Sequence, residues 1–290
     1  MRIYFLLLLF LSFSFSSVAQ TDSIVVKPIK LTIVGAGALA TLGGSYVYIQ
    51  KSWWNDNASE FHFDDGSDLR YALNVDKAGH FVGGMLISDM FQGSLQWSGV
   101  SEKKAHWYGA AMGSFVQAAI EIKDAYAPHW GFSIWDFGAG SVGALVPVAE
   151  RYWKPMEYID FKMSYAKRSN HYWDLGIAQK PYAPPHPHAY QDDYINQTYW
   201  VSFFPLRDRG HHIGLALGFG LDDTQYLDVT NTKRGGQNEF YIALDYDLLQ
   251  LLKNWDGPTA KKVKHWFNYI KLPAPTIRVS PSVEFYPFFM

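Results

Sequence analysis

Glycine and alanine recur at four-residue intervals through charge-poor stretches of the first half of the chain, as in Gly79 with Gly83 and Gly109 with Gly113. Small residues at that interval share one face of a helix and let a neighbouring backbone approach closely. The pattern predicts a tightly packed helical bundle, with helices over roughly 76–96, 102–122 and 135–152. A fourth apolar stretch, Leu31–Ile49, carries no charge and lies between Lys30 and Lys51, with Trp53 and Trp54 just beyond. Its length and flanks fit a transmembrane helix. Its glycines, Gly35, Gly37, Gly43 and Gly44, equally fit a buried helix in a soluble bundle. The residues alone admit both.

Met1-Arg2, the apolar run Ile3–Phe15 and the small residues Ser17-Val18-Ala19 predict a secretory signal peptide over 1–19, cleaved after Ala19. The protein is therefore expected outside the cytoplasm, in the periplasm or associated with the outer membrane. No cysteine occurs among the 290 residues. This excludes disulfides, thiolate metal sites, cysteine nucleophiles and lipidation through cysteine. With 25 Lys and Arg against 27 Asp and Glu, the chain lacks the basic footprint that nucleic-acid binding requires. A mean hydropathy of −0.12 is too polar for a protein built mainly of lipid-spanning helices.

Beyond about residue 155 the texture changes. Tyr182–His188 is too proline-rich for a helix and reads as a loop or linker. His211–Leu221 and Glu239–Leu248 then alternate with a period of two, giving strands with one bulky and one small or polar face. Such strands suit a sheet buried on one side. Thr259–Leu272 reads as an amphipathic helix and Val279–Phe289 as a last strand interrupted by Pro281 and Pro287. The aromatic end Tyr286–Met290 is loosely like that of an outer-membrane strand, but too few strands are visible for a complete barrel. The organisation expected is a signal peptide over 1–19, a helical bundle over 20–155 and a Pro/aromatic-rich linker with an antiparallel β region over 156–290. The fold class is α+β.

Ionisable residues inside glycine-rich helices are informative, because burying them is costly unless they are paired. Asp76 and His80 share a helical face, with Lys77 rotated away. Glu121 and Asp124 share another, and Asp136 opens the next helix after Gly131-Phe132-Ser133. A histidine among carboxylates can act as a general base with Asp76 orienting it, or bind a divalent metal with the acids. The same residues can instead cap helices and lock them together. His62 is a weaker candidate on a loop, and His186 and His188 form an unspecific pair on the proline-rich segment. No phosphate-binding loop, HExxH, GxSxG or EF-hand motif is present. No cofactor can be read from these residues.

The strings Phe61-His62-Phe63-Asp64-Asp65, Asp76-Lys77-Ala78-Gly79-His80, Glu121-Ile122-Lys123-Asp124 and Trp130-Gly131-Phe132-Ser133-Ile134-Trp135-Asp136, followed by Ala139 and Gly143, resemble the YfiM-like family of predicted periplasmic lipoproteins in its longer Bacteroidetes form. That is a domain family of unknown function. The pattern of DKxxH, Glu121 and Asp136 before a helix of small residues also looks like a distant echo of VanZ-like membrane proteins. The resemblance implies an exported envelope protein with motif residues Asp76, Lys77, His80, Glu121, Asp124 and Asp136. Two departures stand out: there is no cysteine to lipidate, and Ala139-Gly140-Ser141 replaces an alanine-asparagine pair. The expected function is that of a membrane-associated envelope protein with a structural or assembly role. The alternative is an envelope hydrolase or transferase acting on a lipid or cell-wall substrate. Membrane lipid or other envelope components are the partners such a protein would meet, and its protein partners are not specified.

Overall fold

A computed structural model describes residues 25–52, 59–128, 130–171, 193–227 and 233–290. The segment expected as a signal peptide, Trp53 and Trp54, and the proline-rich stretch with His186 and His188 lie outside the described residues. The helical half comprises α1 (Pro28–Ser52), α2 (Val75–Trp97), α3 (Glu102–Asp124), α4 (Ile134–Ala144) and α5 (Val146–Tyr152). The segment expected as one helix over 135–152 is thus two, because Pro147 in the first turn of α5 cannot continue the hydrogen-bond ladder of α4.

Glycines bring α2, α3 and α4 into backbone contact. A Cβ on Gly84 would stand 2.0 Å from the Gly140 carbonyl oxygen, and one on Gly143 only 1.8 Å from that of Phe81. Gly109 and Gly113 meet Ser88 and Ala144 as their spacing predicts. On α2, however, the closest helix contact falls at Gly84 rather than at Gly79 or Gly83, since Gly79 faces Tyr199 of the sheet instead.

Helix α1 matches neither expectation. Among the described residues no helix is long and apolar enough to cross a membrane. Nor is α1 buried: Val34 packs with Leu95 and Ala105, the Lys27 amide donates to the Ser98 carbonyl at 2.8 Å, and Gly35, Gly37, Gly43 and Gly44 have open space around them. Its small residues dilute hydropathy without receiving a neighbour.

The second half holds β1 (Ile159–Tyr165), β2 (Gln197–Phe203), β3 (Ile213–Leu221), the hairpin β4 (Gln225–Leu227) and β5 (Lys233–Gly235), then β6 (Asn238–Tyr246), α6 (Leu248–Leu251), α7 (Pro258–Phe267), β7 (Ala274–Ser280) and β8 (Glu284–Phe289). Six strands form one antiparallel sheet in the order β1-β2-β3-β6-β7-β8. The last expected strand is a hairpin, with Pro281 in its turn and Pro287 on an edge strand, where the missing amide is tolerated. Met163 bridges Ile270, so the segment entering β7 lies along the outer edge of β1 and draws the sheet into a curl.

It is the small, polar face that this curl buries. Gly218 makes room for the Trp200 ring, and Tyr241 stacks on Phe289 with centroids 4.6 Å apart. Asp245 pairs with Lys162 at 2.9 Å, and Glu239 with Arg168 at 2.6 Å and Arg278 at 2.8 Å. The bulky face points outward. At β1, β2 and the end of β3 it is covered by the helical half: Phe81 of α2 packs edge-on against Phe161, and Val82 and Met85 join Tyr199 and Leu221 in one core.

Candidate functional site

The strap over 59–65 sets up the site. Phe63 bridges Phe132, the Phe132 amide donates to the His62 carbonyl at 3.0 Å, and Gly131 lies directly against the Asp64 backbone. His62 buttresses the strap: Nδ1 meets the Glu60 carbonyl at 3.0 Å and Nε2 the Trp130 carbonyl at 2.7 Å. Two carbonyl acceptors favour the imidazolium, so the pKa of His62 is raised. This is a packing role. The Asp64 carboxylate accepts from the amides of Gly66 and Asp68, closing the turn that presents Asp68.

The chain then runs through Ala72, Leu73 and Asn74, all with positive φ (44°, 48° and 68°), before α2 begins. Left-handed alanine and leucine each cost about 1–2 kcal/mol. Strain of this kind, immediately before Asp76 and Lys77, is typical of functional segments.

Asp76, Lys77 and His80 stand on the first turns of α2, Glu121 near the end of α3 and Asp136 at the start of α4. Ser133 caps α4, its Oγ accepting from the Asp136 amide at 3.1 Å while donating to Asp68 Oδ2 at 2.6 Å. Glu121 Oε2 accepts the Ser133 amide at 2.9 Å. Three helix ends and one turn thus meet on a few buried polar atoms.

Lys77 is not rotated away. Its long side chain reaches across the helix end to bridge Asp68, Asp76 at 3.1 Å and Asp136 at 3.0 Å. Nor is Asp76 the partner of His80. Nδ1 of His80 lies 2.8 Å from Gln117 Oε1, and Nε2 faces Asp136 Oδ2, 3.9 Å away. Glu121 Oε1 is 4.0 Å from the same ring. Asp124 stays outside this group, although its charge reaches Glu121.

Electrostatics divide the carboxylates. Burial, then the charges of Asp124 and Asp136, pushes Glu121 up to about 9. Asp76 is raised well above the ordinary range by burial and then by Asp136, and Asp136 is raised by burial despite His80 and Lys77. Asp68 goes the other way, because hydrogen bonds from Lys77 and Ser133 outweigh its desolvation. The carboxylates in turn hold Lys77 protonated against burial. Glu121 Oε1 and Asp76 Oδ1 accept no hydrogen bond among the described residues.

Single ligand atoms of His80, Glu121 and Asp136 lie within 4.8 Å of one another, as do those of Asp68, Asp76 and Asp136. The second group already encloses the Lys77 ammonium. The first is the set whose spacing suits a divalent cation. Asp68 and Gln117 were not evident from sequence: Asp68 had no partner in helical register, and a glutamine on a helix face carries no distinctive signal. Phe63, Ile134 and Trp135, all more than half exposed, form an apolar rim next to Ser133 and Asp136.

No curated protein and no solved structure matches this chain. Residues 60–150 match the model of a family described as predicted periplasmic lipoprotein (DUF2279), a stretch that contains every residue of the cluster and ends before the sheet, in agreement with an exported, periplasmic or envelope-associated protein.

Proposed function

We propose that this envelope protein is a hydrolase or transferase acting on a lipid or cell-wall substrate, with His80 as general base and Glu121 as general acid. The observation that carries the reading is the convergence of His80, Glu121 and Asp136, whose single side-chain atoms lie within 4.8 Å of one another. Glu121, pushed up to about 9 by burial, holds a proton at neutral pH, and the His80 imidazole beside it is placed to take one. His80 Nε2 would take the proton of a water or substrate hydroxyl lying between it and Asp136, and Glu121 would return one to the leaving oxygen. Gln117 holds the imidazole, and Lys77 with Asp68 and Asp76 fixes the field around it. His80, at 20% side-chain exposure, is the most open member of the cluster, and the rim of Phe63, Ile134 and Trp135 favours a substrate with an acyl chain. The order of the DKxxH, ExxD and GFSxxD motifs supports the YfiM-like form of the family; the VanZ likeness rests on fewer positions of the same pattern.

A second reading has its own support. Glu121 Oε1, buried without a hydrogen bond, together with His80 and Asp136 would hold a divalent cation, which when bound would activate water as a Lewis acid. The test is a deletion strain, profiled for envelope lipids and wall composition and complemented with His80→Ala or Glu121→Gln. Loss of complementation by folded variants is expected. If both variants complement fully, the cluster is a structural clamp and the protein a structural or assembly component. Melting with and without added Mg²⁺ or Zn²⁺ separates the cation reading, which requires a rise that Glu121→Gln abolishes.

A further inference from the structure

The sheet wears its apolar side outward. Antiparallel pairing aligns Val201, Leu217, Ile242, Ile277 and Phe285 into one row across five strands. Phe203, Leu215 and Leu244 form the row beside it. From Leu217 to Phe285 the first row is between 42% and 63% exposed. No charged side chain interrupts either row. The charges of the same strands, Glu239, Asp245, Arg278 and Glu284, lie on the opposite, concave face in ion pairs. A sheet stabilised by water would bury its long aliphatic side chains and expose its ion pairs; this one does the reverse, as strands facing lipid do.

We infer that the uncovered convex face of β3, β6, β7 and β8 is a lipid-docking surface whose apolar side chains enter the interface of a bilayer while the backbone stays outside its hydrocarbon. The nine residues of β3 or β6 extend about 30 Å. Four strands side by side make a patch roughly 14 Å wide and on the order of 300–400 Å² in area, the size of the largest apolar patch on a typical soluble monomer, which is often functional. The rest of the convex face is already covered by α2, so the protein lies against the membrane on one side and keeps the helical half clear of it. One further observation chooses lipid over a protein partner: the exposed rows offer no polar group with which a protein rim would pair. The inference is independent of the His80 centre, and failure of one leaves the other standing.

The test is flotation of the full mature chain with vesicles of phosphatidylethanolamine and phosphatidylglycerol. The unaltered protein should float, and the double variant Leu217→Glu/Ile242→Glu should partition roughly a hundredfold less while melting as a folded protein. Phe285→Ser, on an edge strand, provides a milder variant with an expected drop of roughly tenfold. Failure of the unaltered protein to float overturns the inference, as does flotation of the folded variants at full yield. So does a dimer in vesicle-free buffer that Leu217→Glu/Ile242→Glu converts to monomer, since the face would then belong to a second copy.

Discussion

Both halves of this protein bury charge, and they do so in different ways. In the sheet every one of these carboxylates meets at least one cation: Asp245 faces Lys162 and Lys271, Glu239 faces Arg168 and Arg278, and Arg207 bridges Asp160 and Asp247. In the helical half four carboxylates, Asp68, Asp76, Glu121 and Asp136, face one ammonium and one imidazole. The first arrangement fills the inside of a curled sheet whose apolar side faces out. The second holds carboxyl groups in protonation states that ordinary packing would not select, and stability is lost in doing so. Paired charge is architecture; unbalanced charge in a strained, glycine-packed setting marks the place to look for chemistry.

That contrast can be broken by substitution. Asp245→Ala leaves two buried ammonium groups without their acid and should destabilise the protein by about 3–5 kcal/mol, read as a fall in the urea midpoint. If it costs less than about 1 kcal/mol, the sheet's ion pairs are not structural. Gly143→Ala drives a methyl into the Phe81 carbonyl and should cost about 3 kcal/mol or prevent folding, whereas Gly138→Ala, with open space around it, should be neutral or slightly stabilising.

Glu121→Gln should act in the opposite direction. At pH 7 folding must protonate Glu121, so in a chelator the glutamine variant should be more stable by about 1–3 kcal/mol. The sign follows from a folded pKa raised above 4.5: this contribution is full at acidic pH and is lost as the pH climbs to about 9. Denaturation midpoints from pH 5 to 9 should therefore fall more steeply for the unaltered protein than for the variant. A destabilised Glu121→Gln at pH 7 would place this site with the paired charges of the sheet.

The smallest effect belongs to the seam between the halves, where His265 of α7 pairs with Asp89 of α2 at 2.5 Å. This bond, more than any other influence, raises the His265 pKa. Its contribution is present below the ordinary histidine range and lost as pH rises through the raised value. With the imidazole 45% exposed it amounts to less than about 1 kcal/mol, and His265→Ala should flatten that part of the profile.

Much of this was legible beforehand, and the limits have particular causes. Helices α2 and α3 fall within a residue or two of where the spacing of small and apolar residues put them, and β3 and β6 follow their alternation. Strand β1 alternates as well, in Phe161-Lys162-Met163, but β2 reads as a continuous apolar run, Tyr199-Trp200-Val201, and proline-rich sequence between them obscured the pair. His80, Glu121 and Asp136 were candidates from position alone. Lys77 was misread because a helical wheel follows the Cβ direction, while four methylenes let the ammonium cross to another helix.

By itself the sequence determined α2, α3, β3 and β6, the small residues at Gly109 and Gly113 that bring helices together and the carboxyl and imidazole groups at helix ends, because these depend on local periodicity and backbone sterics. Only the tertiary structure decided that Gln117 rather than Asp76 holds His80, that Asp68 joins the cluster through a turn, and that the sheet curls around its charged face. Each of those depends on the distance between segments far apart in the chain, and alternation in a strand distinguishes its two faces without saying which one the fold will close over.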